Sequence, residues 1–156
     1  MGSKTPLARV IPVEKTLDAR IEVLPYEVIS KMLDRVSAFA LAQCACRVSV
    51  GGCDKTRDVC LVFDRLGKFL VERKLAREIT REEAEDALRR AEQAGLVHTT
   101  NNSQDSLNFL CNCCTCCCTI LRGLTRLKNP NAFATSRWYA EVDAGCVRTI
   151  GAPWAR

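Results

Sequence analysis

The 156-residue sequence has a single histidine, no glycine-rich phosphate loop and no long apolar run. Each absence removes a class of function. A His-Cys hydrolase dyad would have to use His98, and nothing in the spacing around it supports one. His98 reads instead as a surface or packing group just past a helix end. The pair Gly51-Gly52 lacks the strand-to-helix context of a nucleotide-binding loop, so an enzyme acting on an organic substrate has little support. No run approaches the ~18 apolar residues of a membrane span. The start, Met1-Gly-Ser-Lys-Thr-Pro6, has no apolar signal core, and Pro6 stands where a myristoylation pattern needs Ser or Thr. These features place the chain in the cytoplasm without a membrane span. There is no internal repeat and no low-complexity linker.

What is present is thiol. With 47% hydrophobic and 26% charged residues the chain has a globular composition, about one ordinary domain in length. Its formal charge of +5 is modest and reads mainly as a solvated surface, one that would suit an acidic redox partner or, as the alternative, nucleic acid. Eleven cysteines are the outlying count. In a reducing compartment they read as metal ligands or redox thiols rather than a disulfide framework, and an odd number cannot all pair.

Residues 1–24 hold short apolar runs and prolines and read as an extended arm. From Pro25, apolar residues at Val28, Ile29, Met32, Leu33, Val36, Phe39 and Ala40 keep a helical period, which predicts a helix running into Cys44 and Cys46. Residues 47–57 read as a loop carrying Cys53. A second helix is predicted from Asp58, with Val59, Val62, Phe63, Leu66, Phe69 and Leu70 on one side and Cys60 in its first turn. Thr80 followed by Glu83 is a capping box for a third helix, which Gly95 stops. Leu96–Thr100 and Ser106–Leu110, with a polar turn between them, read as a hairpin. The expected fold is therefore mainly α with a small β-hairpin (α+β): a winged-helix-like helical core with cysteine-rich cluster-binding loops. The core spans 25–128, after the arm at 1–24 and before an irregular tail at 129–156.

The thiols fall into two groups. Cys44-x-Cys46-x6-Cys53-x6-Cys60 spreads four over seventeen residues, with Arg47 placed to offset the negative charge of thiolate-bound metal. Cys111-Asn-Cys-Cys-Thr-Cys-Cys-Cys118 packs six into eight residues. Within it Cys111, Cys114 and Cys117 have the Cys-x2-Cys-x2-Cys spacing of bacterial ferredoxin clusters, which take a fourth ligand from elsewhere. Cys146 is a candidate for that ligand. Cys113 and Cys116 offer a second Cys-x2-Cys pair, and Cys118 neighbours both sets. Soft thiolates select iron-sulfur clusters, zinc and copper(I). Zinc accepts four Cys in a tetrahedral site, but the spacing lacks the paired Cys-x2-Cys knuckles of a ribbon or finger, so zinc is second choice.

Several stretches recur in the order of a known group. They are Ile11-Pro-Val13, Val23-Leu-Pro-Tyr26, Cys44-x-Cys46-Arg47, Cys53-Asp54-Lys55, Cys60-Leu61-x-Phe63, Arg77-Glu-Ile-Thr-Arg-Glu-Glu83, Ala94-Gly-Leu-Val-His98, Phe109-Leu-Cys-Asn-Cys-Cys114 and Ala134-Thr-Ser136. Over roughly residues 10 to 145 the chain resembles the amino-terminal cysteine-rich region of cytoplasmic four-iron four-sulfur ferredoxin-type proteins. It departs at Thr115, where the family pattern carries Gly, and only Cys146 stands where a carboxy-terminal ferredoxin domain would continue. The resemblance implies iron as the metal, one or two 4Fe-4S clusters, and electron transfer to a redox partner protein. That makes the expected function a non-catalytic electron-transfer protein. The alternatives are a winged-helix DNA-binding regulator that senses redox state or metal, and an iron-sulfur or metal carrier using the spare thiols.

Overall fold

The structure, a computed structural model, describes residues 6, 8–13, 28–103 and 106–136. Cys146 and the start of the expected first helix at Pro25 lie outside the described residues. The elements in chain order are β1 (Ala8–Val10), α1 (Ile29–Leu33), β2 (Phe39–Gln43), α2 (Ala45–Val50), β3 (Asp58–Phe63), α3 (Asp64–Glu72), β4 (Ala76–Ile79), α4 (Arg81–Gln93), β5 (Val97–Asn101), β6 (Phe109–Cys113) and α5 (Thr119–Thr125), then a short 3-10 turn at Pro130–Ala132.

The organising layer is a six-stranded sheet in the order β1-β5-β6-β3-β2-β4. Every neighbouring pair in it is antiparallel. This corrects the expected winged-helix-like, mainly helical core. The helix predicted from Pro25 is only Ile29–Leu33 within the described residues, and the Phe39–Ala40 end of its apolar pattern belongs to β2. The second predicted helix begins six residues later than Asp58, because Asp58–Phe63 is the interior strand β3. The physical reason is burial on both faces. Val59, Leu61, Val62 and Phe63 are all buried, so the strand shows a continuous apolar run with no period of two. Such a run cannot be told from a helix by periodicity.

The change of direction from β3 into α3 is made by Asp64, which has a positive φ of 47°. Its carboxylate accepts from the backbone N–H groups of Ser37 and Ala38 at 2.9 and 3.0 Å, a compensation for the left-handed backbone that only small polar residues and glycine adopt readily. Gly67 in α3 sits so close to the sheet that a Cβ would lie 3.1 Å from the Val62 carbonyl oxygen.

The third helix forms as its sequence signals require. The Glu83 N–H donates to Thr80 Oγ1 and the Thr80 N–H donates to Glu83 Oε2, closing the capping box. Gly95, at φ 66°, turns the chain out of the helix. Ala84, Ala87, Leu88 and Ala91 are buried. With α1, Ala84, Ala87 and Leu88 cover the sheet face that presents Leu41, Leu61, Phe63 and Leu110, giving the main core, while Ala91 packs with Val59, Leu96, Cys114 and Cys117. On the opposite face Cys113 packs with Cys118, Leu121 of α5, Ala8 of β1 and Phe133. The arginines that would have served a DNA-reading helix are held by carboxylates: Arg81 by Asp34 and Glu85, Arg89 and Arg90 by Asp86.

The expected hairpin is present as β5 and β6, with its second strand shifted into the thiols. Val97 pairs with Cys113 and Thr99 with Cys111. Among the described residues, no helix is long and apolar enough to cross a membrane.

Candidate metal centre

Two loops converge at one end of the sheet. The first leaves α2 through Gly51, whose φ of 76° provides the helix stop, and carries Cys53 before β3 begins. The second follows β6 directly: the Cys118 N–H donates to the Cys114 carbonyl at 3.1 Å, folding Cys114-Thr-Cys-Cys-Cys118 into a single turn. That turn brings Cys114, Cys116 and Cys117 against Cys53. The Sγ of Cys53 lies 3.8 Å from that of Cys114 and 3.5 Å from that of Cys116, and Cys116 and Cys117 are 3.7 Å apart. All four sulfurs lie within 4.8 Å of one another, an arrangement that can hold a metal ion. Cys114 and Cys117 are buried, Cys53 is half-buried and Cys116 is exposed, so the site opens to solvent on one side.

Arg47 joins the two loops. It is fully buried, and its Nη1 donates to the Thr56 carbonyl at 2.9 Å while Nη2 donates to the Asn112 carbonyl at 2.6 Å. Its Nε is buried without a hydrogen-bond partner. Among the described residues no carboxylate pairs with it. The groups that raise its pKa against the opposing effect of burial are thiols, led by a hydrogen bond with Cys114 and followed by the charges of Cys44, Cys114 and Cys53. A buried cation needs an anion beside it. Four thiolates on a dication carry net negative charge, so the donor set and the unpartnered guanidinium nitrogen both fit a thiolate-bound metal.

The titration of the four supports the same reading. Burial works against the Cys114 thiolate, yet hydrogen bonds from Cys116, the Cys117 N–H, Arg47 and Cys53 bring its pKa down to about 7. Cys116, sharing its proton with Cys114, is pushed up to about 12. Burial raises Cys117. One thiolate of the set is thus accessible near neutral pH, and a metal would displace the remaining protons.

The other thiols take different places. Cys60 of β3 stands across from Cys111 of β6 with their sulfurs 3.8 Å apart. Cys113 packs in one cluster with Cys118 and Cys111, and its sulfur is 3.2 Å from the Thr99 hydroxyl. These contacts, from Cys111 first and then Cys118, draw the Cys113 thiol down to about 3, with Cys111 and Cys118 raised in return. The hydrogen bond with Cys111 likewise lowers Cys60. Cys44, at the start of α2, is raised chiefly by burial. The Cys46 sulfur lies 3.8 Å from the Thr119 hydroxyl.

The structure therefore redistributes the two groups read from spacing. Of Cys44, Cys46, Cys53 and Cys60, only Cys53 joins the compact set. Of Cys111, Cys114 and Cys117, the latter two join it, and Cys111 faces Cys60. Arg47 was visible in the sequence as a cation beside Cys46. Asn112 was not singled out, although a polar residue between Cys111 and Cys113 on a strand must point to the other face. There its side-chain amide donates to the Val59 carbonyl at 2.6 Å and its Oδ1 accepts from His98 Nδ1 at 2.5 Å. His98 is buried in that contact and has the packing role expected of it. No family model, curated protein or solved structure matches this chain.

Proposed function

We propose that this chain is an iron-sulfur protein that transfers electrons to a partner protein, with Cys53, Cys114, Cys116 and Cys117 as ligands of its metal centre. The observation that carries this reading is the convergence of four thiols from two loops beside a buried arginine that pairs with no carboxylate among the described residues. When bound, iron with thiolate and sulfide ligands supplies one-electron chemistry at a potential set by net charge, hydrogen bonds to sulfur and solvent exposure. The chain's own groups act on each of these. Arg47 offsets negative charge, and burial of Cys114 and Cys117 beside exposed Cys116 leaves one open edge through which a partner can approach. The abundance of thiols around the site and the resemblance to ferredoxin-type proteins favour iron over other soft metals.

A second reading, a single zinc held for structure, is favoured by the distances. A tetrahedral ion with metal–sulfur bonds of about 2.3 Å sets its sulfurs about 3.8 Å apart, and the three recorded separations are 3.5 to 3.8 Å. A four-iron cube spreads its ligands further and would need the 114–118 turn to widen around Cys53. Metal and acid-labile sulfide analysis of anaerobically isolated protein, with electron paramagnetic resonance after reduction, decides between them. Iron and sulfide with a reducible signal support the first reading. Stoichiometric zinc without sulfide removes it.

A further inference from the structure

We propose that Cys60 and Cys111 are a redox-active dithiol that closes into a cross-strand disulfide by exchange with small-molecule disulfides, a chemistry separate from that of the metal centre. The placement follows from strand register. In β3 and β6, Leu61 pairs with Leu110 and Val62 with Phe109, and the Phe63 N–H donates to the Asn108 carbonyl at 3.0 Å. Opposed residues of an antiparallel pair alternate between hydrogen-bonded and non-hydrogen-bonded positions. One residue beyond Leu61 and Leu110, Cys60 and Cys111 therefore face each other at a non-hydrogen-bonded position, and their sulfurs meet at 3.8 Å. Such positions hold opposed Cα atoms about 4.5 Å apart, inside the range of about 4.4–6.8 Å that a disulfide spans. The register itself supplies the spacing for the bond.

Packing alone does not account for the pair. A buried cysteine is commonly a small apolar filler, and Cys113, two residues further along β6, is buried in that way. Cys60 and Cys111 are only half-buried, and Cys60 lines an open groove of about 1100 Å³ with Ala42, Val62, Leu70 and Lys74. Small-molecule sites run from about 300 to 1,000 Å³, so the groove gives a small disulfide access to the Cys60 sulfur. Among the described residues no third His, Cys, Asp or Glu side chain closes around the two to make a metal-holding set.

The exchange runs in two steps. The Cys60 thiolate attacks one sulfur of a disulfide RSSR, forming a Cys60–SR bond and breaking the RS–SR bond, and the released RS⁻ takes up the proton that Cys60 gave up. The Cys111 thiolate then attacks the Cys60 sulfur, forming the Cys60–Cys111 bond and expelling the second RS⁻, which takes up the Cys111 proton. Two electrons pass from the protein to RSSR, and two RSH leave.

The test uses the full chain, isolated anaerobically without chelator and equilibrated in glutathione buffers from fully reduced to fully oxidised. Free thiols are alkylated, the protein is cut with trypsin, and mass spectrometry follows peptide 58–65, whose single cysteine is Cys60. Metal is measured on the same samples. As the buffer is oxidised, peptide 58–65 is expected to pass from its alkylated form to one linked to peptide 91–122, which carries Cys111. The metal content should stay constant, and reduction should restore the alkylated form. In Cys111→Ser the link should be lost and Cys60 should retain glutathione, because the second attack has no nucleophile, whereas Cys113→Ser should keep the link. Cys60 that stays alkylatable in fully oxidised buffer overturns the proposal. So does a link that survives in Cys111→Ser and is lost in Cys113→Ser. A link that forms only as bound metal is lost also overturns it, since the bond would then be a product of the emptied metal site. The first and last of these outcomes are read on the unaltered chain, so a variant that fails to fold leaves the test intact.

Discussion

Arg47 Nη2 donates to the backbone carbonyl of Asn112 at 2.6 Å, deep in the protein, across 65 residues of sequence. The bond ties the first cysteine-bearing segment to the strand that carries the second. It also fixes a positive charge next to Cys53 and Cys114.

Replacing Arg47 with Gln should weaken metal binding by roughly 10- to 100-fold, the range typical of lost outer-shell partners. Arg47→Lys should fall between, since it keeps the charge but not the two-pronged contact with the Thr56 and Asn112 carbonyls. Competition against a chelator of known affinity measures both. Equal affinity in all three proteins would show that the cation does not act on the metal.

Serine substitutions should sort the thiols by place. Cys114→Ser and Cys117→Ser should lose the metal of the compact site, whereas Cys46→Ser, whose sulfur sits by Thr119 outside that set, should keep full metal content. Metal analysis after gel filtration reads the difference. A Cys46→Ser protein that loses this metal would place Cys46 among its ligands.

Metal affinity should fall more steeply with pH below neutrality than above it. The ligands bind as thiolates, so every proton held by the free site competes with metal. Cys116, pushed up to about 12, holds its proton across the whole range and gives it up on binding at any pH. Cys114, at about 7, is already ionised at pH 8 and gives up a proton only as the pH drops through 7. Proton release per metal should therefore rise by about one between pH 8 and pH 6. Calorimetry in buffers of different ionisation enthalpy measures it, and a release that stays flat would contradict the assignment of Cys114 as the ionised ligand.

Thr80→Ala should destabilise the fold by about 1 kcal/mol through loss of the helix cap, with metal stoichiometry unchanged, because α4 supports the sheet and contributes no ligand. Urea unfolding of the metal-free protein gives the number. A metal content that falls with it would mean the cap supports the site directly.

Residues with local chemistry were legible in the sequence. Thr80, Glu83 and Gly95 define α4 by hydrogen bonding and backbone conformation that need no tertiary partner, and the polar turn between Thr100 and Ser106 separates the hairpin strands by the same local means. Phe39–Gln43 and Asp58–Phe63 carry a helical pattern in the sequence because four or five apolar residues in a segment of five or six fit either period until a neighbour strand is present. The thiols were legible as metal chemistry but not as sets. Spacing along the chain joins Cys53 to Cys46 and Cys60, while folding joins it to Cys114, 61 residues away. Only the register of β3 with β6 and the turn at 114–118 separate the six clustered sulfurs into two directions.

The long separation between Cys53 and Cys114 gives the compact site a role in topology. A metal that bridges them closes a 61-residue ring containing β3 to β6 and the whole of α4. By the loop-closure argument used for disulfides, a cross-link of that length removes about 4 kcal/mol of freedom from the unfolded chain. The centre then serves as a covalent staple that chelation can undo, and the sheet it fastens should melt at a lower temperature when the metal is withdrawn.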